Sequence, residues 1–198
     1  MTESNSSAAD SSAPTPVIEA IGIDVGYGAV SVIKGLDLVV NRGEVVALLG
    51  VNGAGKSTTV KALAGELRPT AGEIRLKGEV TTAPLHKRAR QGLRLITEER
   101  SVFMGLSAAD NLRLGGQDRD AVLEIFPELQ RLLRRKAGLM SGGEQQMLTL
   151  GRALAGKPDV LLIDELSLGL APLVLERLLT KVREAADGGT GVLLVEQH

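Results

Sequence analysis

The sequence predicts an α/β domain built on a mostly parallel sheet. Four continuous apolar runs are present, and such runs are typical of strands buried on both faces of a parallel sheet. Helical patterns separate several of these runs, and alternation of strands with helices is typical of this fold class. The four runs are "EVVALLG" (44–50), "GLRLIT" (92–97), "DVLLID" (159–164) and "GVLLVEQ" (191–197).

The residues before the first apolar run follow a different pattern of polar and apolar side chains. The segment "SVIKGLDLVV" (31–40) is closer to polar–apolar alternation, which predicts a strand with one solvated face. Residues 1–16 are rich in Ser, Ala and Pro, and they lack the basic start and apolar stretch of a signal peptide. They predict a disordered tail, which places the folded domain at 17–198.

Prolines mark two of the helices. Pro172 opens one helix, because proline is tolerated in a first turn. A second helical pattern runs from Val122 to Leu133, and Pro127 is expected to kink or split it. In the first helix the apolar residues recur at helical spacing, at Leu175, Leu178, Leu179 and Val182.

The composition excludes several classes of function. The chain has 198 residues and a net charge of −1, whereas proteins that hold a nucleic-acid backbone usually carry a basic excess. One Tyr and two Phe provide no base-stacking platform, so no nucleic-acid partner is expected. No apolar run approaches the roughly 18 residues of a spanning helix. Any role at a membrane is therefore expected to come through a partner. The absence of cysteine is compatible with a reducing cytosol.

The stretch "GVNGAGKST" (50–58) carries the first chemical motif. It fits the phosphate-binding loop G-x-x-x-x-G-K-[ST], with an apolar strand before it and a helical stretch after it. A plain Gly-rich turn is the alternative, which this strand and helix context disfavours. The glycines let backbone N–H groups wrap a phosphate chain at the positive end of a helix. Lys56 is expected to reach the β- and γ-phosphates, and Ser57 to offer an oxygen to Mg²⁺.

A carboxylate for the metal is expected at the end of a neighbouring strand. The run "VLLIDE" (160–165) delivers Asp164 to the carboxyl edge of the sheet, where ligands bind in open α/β folds. Asp164 is predicted to hold Mg²⁺, and Glu165 to polarise an attacking water. An acidic turn after a strand is the structural alternative.

A third stretch, "LMSGGEQQMLTLGRAL" (139–154), adds a second anion-binding surface. Ser141 and Glu144 form a capping box, which opens a helix with Met147, Leu150 and Leu154 on one face. Capping does not explain Gly142 and Gly143, since glycine in a first helical turn costs stability. Without side chains they bare the N–H groups of a helix N-terminus. One nucleotide does not need two cradles from one chain, which predicts a dimer in which each cradle is closed by the partner.

In this setting, "SGGEQQ" between a phosphate-binding loop and "LLIDE" resembles the signature motif of ABC-type ATPases, over residues 17–198. The resemblance implies a P-loop fold with an N-terminal antiparallel β portion. It implies a nucleotide-binding core at 17–98 and 138–198, a helical permease-contacting subdomain at 99–137, and ATP and Mg²⁺ as cofactors. The residues implied to bind nucleotide are Tyr27, Gly50, Asn52, Gly53, Gly55, Lys56, Ser57, Thr58, Ser141, Gly142 and Gly143.

The resemblance also assigns roles to individual side chains. Tyr27 matches the aromatic that stacks on adenine, with a structural aromatic in a strand-end turn as the alternative. Glu98 stands where most of the superfamily has a Gln that senses Mg²⁺ and the γ-phosphate. The metal set is Ser57, Glu98 and Asp164, and the catalytic set is Lys56, Glu165 and His198.

The segments "HKRARQGLRLITEERSVF" (86–103) and "SLGLAPL" (167–173) look most like those of the ATP-binding subunits of branched-chain amino-acid importers. Related amide and urea importers have similar ATP-binding subunits. This implies a cytoplasmic subunit on the inner face of the membrane. Its partners would be permease subunits, a second ATPase in a homodimer or heterodimer, and indirectly a solute-binding protein. The alternatives are an ATPase that acts on ribosomes or DNA, and a binding-only subunit with weak hydrolysis.

Two departures and the last residue complete the sequence-based expectations. Leu166 stands where the family typically has Pro, and "SLGL" (167–170) replaces the commoner Ser-Ala-Leu-Asp loop. His198 matches a His that reaches the γ-phosphate, and a frayed terminal His is the alternative. Family members continue beyond this point, so the C-terminal part of the fold is expected to be absent and the role of His198 weakened.

Overall fold

Two four-stranded sheets form the frame of the molecule in the computed structural model, which describes residues 14–99 and 101–197. One sheet is antiparallel and formed by the N-terminal half, with strands in the spatial order β2-β1-β4-β5. β1 begins at the last residue of the predicted tail. The strands are β1 (Pro16–Tyr27), β2 (Val30–Asn41), β4 (Ala71–Leu76) and β5 (Glu79–Val80).

The other sheet is parallel, as the apolar runs predict. Its order is β3-β8-β7-β6, so all four strands end at the same edge. The sequence prediction that residues 192–195 lie beside the strand ending at Asp164 is confirmed, since Ile163 pairs with Leu194 and Asp164 with Val195. The strands are β3 (Val45–Leu49), β6 (Leu93–Ile96), β7 (Val160–Asp164) and β8 (Gly191–Glu196).

Six α-helices connect and cover the strands within the described residues. Pro172 opens α6, and Pro127 ends the helical pattern before it, since a 3-10 turn (Pro127–Leu132) replaces the α-helix from there; both predictions are confirmed. A second 3-10 turn is Ala137–Leu139. The helices are α1 (Lys56–Ala64), α2 (Leu85–Arg90), α3 (Ala108–Leu114), α4 (Arg119–Ile125), α5 (Gly142–Ala155) and α6 (Pro172–Asp187).

The core is divided between the two faces of the parallel sheet. On one face, side chains from β7 and β8 pack with α1 and the antiparallel sheet; Leu162 and Leu193 are fully buried there. On the other face, Leu161 and Ile163 pack with α3 to α6. This sandwich buries β7 completely, as the continuous apolar run predicts. It fixes the backbone at the point where the strand delivers Asp164.

The prediction for β3 is wrong in one respect. The run 44–50 is a strand, but it lies at the edge of the parallel sheet and is not buried on both faces. Leu49 is 61% exposed. Within the described residues, β8 pairs with one edge of β3 and no strand pairs with its other edge. The continuous apolar run alone therefore overstates the burial of β3.

The region 101–139 contains α3, α4 and both 3-10 turns, and the domain boundaries at 98 and 138 stay predictions. Phe126 and Leu129 anchor this region against α5, and both are fully buried. Among the described residues, no helix is long and apolar enough to cross a membrane.

Candidate nucleotide site

The loop between β3 and α1 has the backbone that a phosphate cradle needs. Gly53 and Gly55 have φ values of +83° and +89°, a region that side chains rarely adopt. At Gly55 a Cβ would also lie 3.1 Å from Ile33 Cγ1 on β2. These two glycines let the loop turn tightly into α1, whose first N–H groups then point out of the fold.

Lys56 is held inside this loop. Its side chain is buried, and Nζ donates to Gly50 O at 2.6 Å and to Val51 O at 3.0 Å. An ammonium group has three donors, so these two carbonyls orient it while one donor direction remains. The cationic centre is therefore placed within the curve of the loop, where a phosphate oxygen would be neutralised.

Asp164, the last residue of β7, faces the start of α1. It is 7% exposed, and its Oδ1 has no hydrogen-bond partner within the described part of the chain. Burial raises the pKa of its carboxyl, and the charge of Glu165 adds to this effect. A hydrogen bond from Ser57 and the charges of Lys61 and Lys56 act in the opposite direction on the same pKa.

These residues fit a Mg²⁺ ion. An orphaned, buried carboxylate oxygen is costly unless something compensates it, and it lies beside a hydroxyl of the type that Mg²⁺ prefers. The described residues contain no group of three or more His, Cys, Asp or Glu side chains that could together hold a metal ion. Mg²⁺ typically takes one or two protein ligands and completes its shell with phosphates and water. Ser57 and Asp164 would hold such an ion, and its charge would offset the charge of the phosphates.

Asp164→Asn is expected to raise the melting temperature of the metal-free chain at neutral pH. A carboxyl whose pKa is raised by folding favours the folded state when protonated and opposes it when ionised. The wild type therefore loses stability relative to the Asp164→Asn variant as the pH rises from 3.8, the ordinary pKa of an Asp carboxyl, through the raised pKa of Asp164. In EDTA, the difference in melting temperature between Asp164→Asn and the wild type should be larger at about pH 7 than at about pH 4.

The exposed Asp120 provides the control for this comparison. Its side chain is 73% exposed, so Asp120→Asn lacks the burial effect. A gap for Asp164→Asn that does not change with pH, or a wild type that is the more stable protein at pH 7, would contradict the prediction.

Glu165 follows Asp164 in a strained conformation. Its φ is +57°, which is uncommon for a residue with a side chain and persists only when the surrounding structure holds it. Its N–H donates to Val195 O at 3.0 Å, and its Oε1 accepts from Gln197 Nε2 at 2.7 Å. The departure at Leu166 has a structural counterpart, since this side chain is fully buried in the core beside the site.

A cleft of about 400 Å³ brings these parts together, which is within the usual range for ligand pockets. Tyr27, half-exposed at the end of β1, and Glu98, which follows β6, both line it. Gly50 contributes through its carbonyl oxygen, which accepts a hydrogen bond from Lys56. The buried Asp164 contacts the site through its hydrogen bond with Ser57. The lining residues are Tyr27, Val32, Asn52, Gly53, Gly55, Lys56, Ser57, Thr58, Glu98, Glu165 and Gln197.

The segment Ser141 to Gly143 does not line this cleft. It opens α5 through the predicted capping box, with Ser141 Oγ accepting from Glu144 N at 3.2 Å and Glu144 Oε2 accepting from Ser141 N at 2.9 Å. Gly143 also has a packing role that the sequence does not reveal. A Cβ there would lie 2.7 Å from Val174 Cγ1 on α6. Close contact between α5 and α6 therefore explains this glycine in part.

The structure adds Gln197 and Val32 to the predicted lining residues, while His198 lies outside the described residues. Gln197 directly follows β8, so the rule that ligands bind at the carboxyl ends of parallel strands is the signal that could have found it. The sequence reading singled out His198 by family position alone.

A P-loop, a buried carboxylate at the carboxyl edge and a capped Gly-Gly helix together define an ATP-binding domain. The sequence model of the ABC transporter family matches residues 33–167, and the chain belongs to this family. It is an ATP-binding subunit of an ABC transporter. Its fold is the ABC ATPase fold that the sequence predicts, an antiparallel sheet and a parallel core with helices.

Curated relatives and solved structures agree with this assignment. The chain is 40% identical, over 87% of its length and 78% of the relative, to the high-affinity branched-chain amino acid transport ATP-binding protein BraG of Pseudomonas aeruginosa. It is 33% identical to the probable branched-chain amino acid transport protein LivF of Archaeoglobus fulgidus, covering 92% and 82% of the two chains. It is 34% identical to the lipopolysaccharide export ATP-binding protein LptB of Escherichia coli K12, covering 87% and 76%.

A solved ATP-binding subunit of an ABC transporter superposes with a TM-score of 0.78 at 32% identity, covering 91% of this chain and 79% of that one. A nucleotide-free ATP-binding cassette superposes with a TM-score of 0.82 over 93% and 82% of the two chains. Its identity is 23%, so it supports the fold alone.

Proposed function

We propose that this chain hydrolyses ATP with Mg²⁺ to energise an importer of branched-chain amino acids or related amides. The observation that carries the catalytic part is that Lys56, Ser57 and Glu165 line one cleft. The identity to BraG and LivF supports the class of solute.

In the proposed reaction, water attacks the γ-phosphorus and the bond to the β–γ bridging oxygen breaks, which releases ADP and phosphate. Glu165 lines the cleft, and its carboxylate accepts a hydrogen bond from the water and orients it in line. Lys56 neutralises charge that develops on the transferring oxygens. Ser57 and Asp164, with Glu98 nearby, hold Mg²⁺. The expectation that His198 contributes charge at the γ-phosphate is part of this proposal.

Tyr27 is proposed to stack on the adenine ring. It is half-exposed and lines the cleft, so its ring is available to a ligand. Ser141, Gly142 and Gly143 are proposed to close the cleft of a second ATPase subunit. They do not line the cleft of their own chain, which supports this arrangement, because the N–H groups of this helix N-terminus are then available to a partner's phosphates.

ATP-binding subunits of this family act with permeases. Which permease this chain serves is part of what we propose. We place the chain at the inner face of the membrane, bound to permease subunits and associated indirectly with a solute-binding protein. The resemblance to LptB makes a lipopolysaccharide-export permease the competing partner. Action on ribosomes or DNA, and a binding-only role, remain the competing classes.

Co-expression with a branched-chain amino-acid permease tests this proposal. We expect the tagged chain to copurify with that permease, and its hydrolysis of ATP to be stimulated and coupled to uptake of labelled leucine in vesicles. The Lys56→Ala variant is the control for uptake. Association with a lipopolysaccharide-export permease alone, or stimulation by ribosomes or DNA instead of a permease, would contradict the proposed solute class. Nucleotide binding without hydrolysis would support the binding-only alternative.

A further inference from the structure

A second cavity, of about 190 Å³, is formed by β6, α5 and the segment that follows α3. It shares no lining residue with the nucleotide cleft. Two guanidinium groups line it, Arg94 of β6 and Arg152 of α5, and no described Asp or Glu residue does. The cavity is smaller than the usual ligand pocket and carries positive charge, so it suits a small anion. We call it the Arg94–Arg152 cavity.

The charge of Arg152 is poorly compensated by the described part of the chain. Its Nη1 donates to Ser101 O at 3.1 Å, whereas its buried Nε has no hydrogen-bond partner among these residues. Burial lowers the pKa of the guanidinium, and no neighbouring carboxylate acts against this effect. An arginine side chain nevertheless stays charged in a protein, and a half-buried cation without an anion is costly. Arg152 therefore lacks a negatively charged partner, and its Nη2 is left for one.

Arg94 supplies a second cation whose donors are only partly used. Its Nη1 donates to Ala89 O at 2.6 Å and to Leu93 O at 2.9 Å. These carbonyls orient the guanidinium, and the hydrogen bonds of Arg94 within residues 14–99 and 101–197 all use Nη1. A guanidinium presents its donors in a planar fork that matches the oxygens of a carboxylate or a phosphate. Both cations of the cavity therefore keep donors for an oxyanion.

Gly115 determines where the guanidinium of Arg152 lies. This glycine ends α3 with a φ of −70°, which any residue adopts, so the backbone turn does not require glycine. A Cβ at this position would lie 2.9 Å from Arg152 Nε and 3.2 Å from Nη2. The absent side chain lets the guanidinium pack directly on the backbone at the cavity wall. A side chain here would displace the cation without removing it.

We propose that the Arg94–Arg152 cavity binds one small oxyanion, either inorganic phosphate or the carboxylate of a small molecule. The anion compensates both cations, and its oxygens accept hydrogen bonds from the guanidinium donors that the chain leaves unused. The volume suits one such group and is less than half that of the nucleotide cleft. A bound anion would link β6, which leads to Glu98, with α5, which begins at the capping box of Ser141. The inference does not depend on the proposed function.

Calorimetric titration of the full chain tests the proposal, with inorganic phosphate in one arm and isobutyrate in the other, at constant ionic strength. The Lys56→Ala variant is the parent protein, because it weakens phosphate binding at the phosphate-binding loop. We expect a dissociation constant of about 1 mM, the affinity that a few charge-assisted hydrogen bonds provide. Binding of phosphate alone would identify an inorganic oxyanion as the ligand, and binding of isobutyrate alone an organic carboxylate. Binding of both would show a general oxyanion site.

Two substitutions in the parent protein test whether the anion binds in this cavity. Arg152→Lys keeps the positive charge and removes the planar fork, so it should weaken binding by at least about tenfold. Gly115→Ala keeps every cation and displaces the Arg152 guanidinium, and it should weaken binding in the same direction. Arg90→Lys, at an exposed position on α2, and Gly105→Ala, where no atom lies within 4 Å of the added Cβ, are the matched controls. Both controls should bind as the parent does.

Melting curves establish that each variant folds, and Arg94→Lys with Gly115→Ala carries the test if Arg152→Lys does not. Binding of neither anion to the parent would overturn the proposal. Equal binding in the parent, Arg152→Lys and Gly115→Ala would also overturn it, because the anion would then lie elsewhere. Loss of permease copurification in Arg152→Lys, without binding of either free anion, would assign the cations to a protein partner and reject the proposal. These titrations do not measure hydrolysis, so the proposed function is tested separately.

Discussion

Glu165→Gln is expected to bind ATP with near wild-type affinity and to hydrolyse it at least about 100-fold more slowly, the usual size of a general-base contribution. The amide is close in shape to the carboxylate, so the cleft keeps its geometry, but it cannot draw a proton from water. Phosphate release under saturating ATP measures the rate, and equilibrium titration measures the affinity.

The same variant should accumulate as an ATP-bound dimer. Closure of the cleft by the signature helix of a second subunit is proposed to depend on ATP, and slow hydrolysis prolongs the closed state. Size-exclusion chromatography with ATP and Mg²⁺ should show a dimer that wild type does not retain. Glu124→Gln is the control, because Glu124 is exposed on α4 and changes the same functional group. Near-normal turnover in Glu165→Gln would remove this residue as the group that polarises water.

Lys56→Ala is expected to weaken ATP binding by about 100-fold or more, the range found when one partner of a buried, hydrogen-bonded charge pair is removed. The variant loses the cation that faces the phosphates and also the two bonds that tie the loop to Gly50 O and Val51 O. Titration with ATP and Mg²⁺ measures the affinity.

Lys87→Ala is the matched control for this loss, since Lys87 is exposed on α2 and its removal changes the net charge equally. The control should bind ATP as wild type does. Retained affinity in Lys56→Ala would defeat the assignment of the phosphate-binding loop. Equal weakening in both variants would show that net charge, and not the position of Lys56, determines binding.

The sequence predicts the phosphate loop and the placement of Asp164 because both depend on local rules. A glycine pattern between a strand and a helix defines the loop. An apolar run that ends in Asp places that carboxylate at the edge where all parallel strands end. The capping box at Ser141 and the break at Pro127 also follow from adjacent residues, and the structure contains both.

Other features depend on contacts between distant parts of the chain. The edge position of β3 follows from strand order, which no apolar run specifies. Gly143 faces Val174, which lies on another helix, so its packing role is not visible in the motif. Gln197 joins the site because β8 lies beside β7, and the prediction for His198 concerns a residue outside the described part of the chain.

The most direct test of the central claim is Mg²⁺-dependent release of phosphate from ATP by the full chain bound to its permease. The claim is that the cleft at the ends of β3, β7 and β8 hydrolyses ATP. The structure leads us to expect release that requires Mg²⁺ and is lost in both Lys56→Ala and Glu165→Gln. Release that persists in both variants, or no release from wild type in the presence of permease and Mg²⁺, would contradict it.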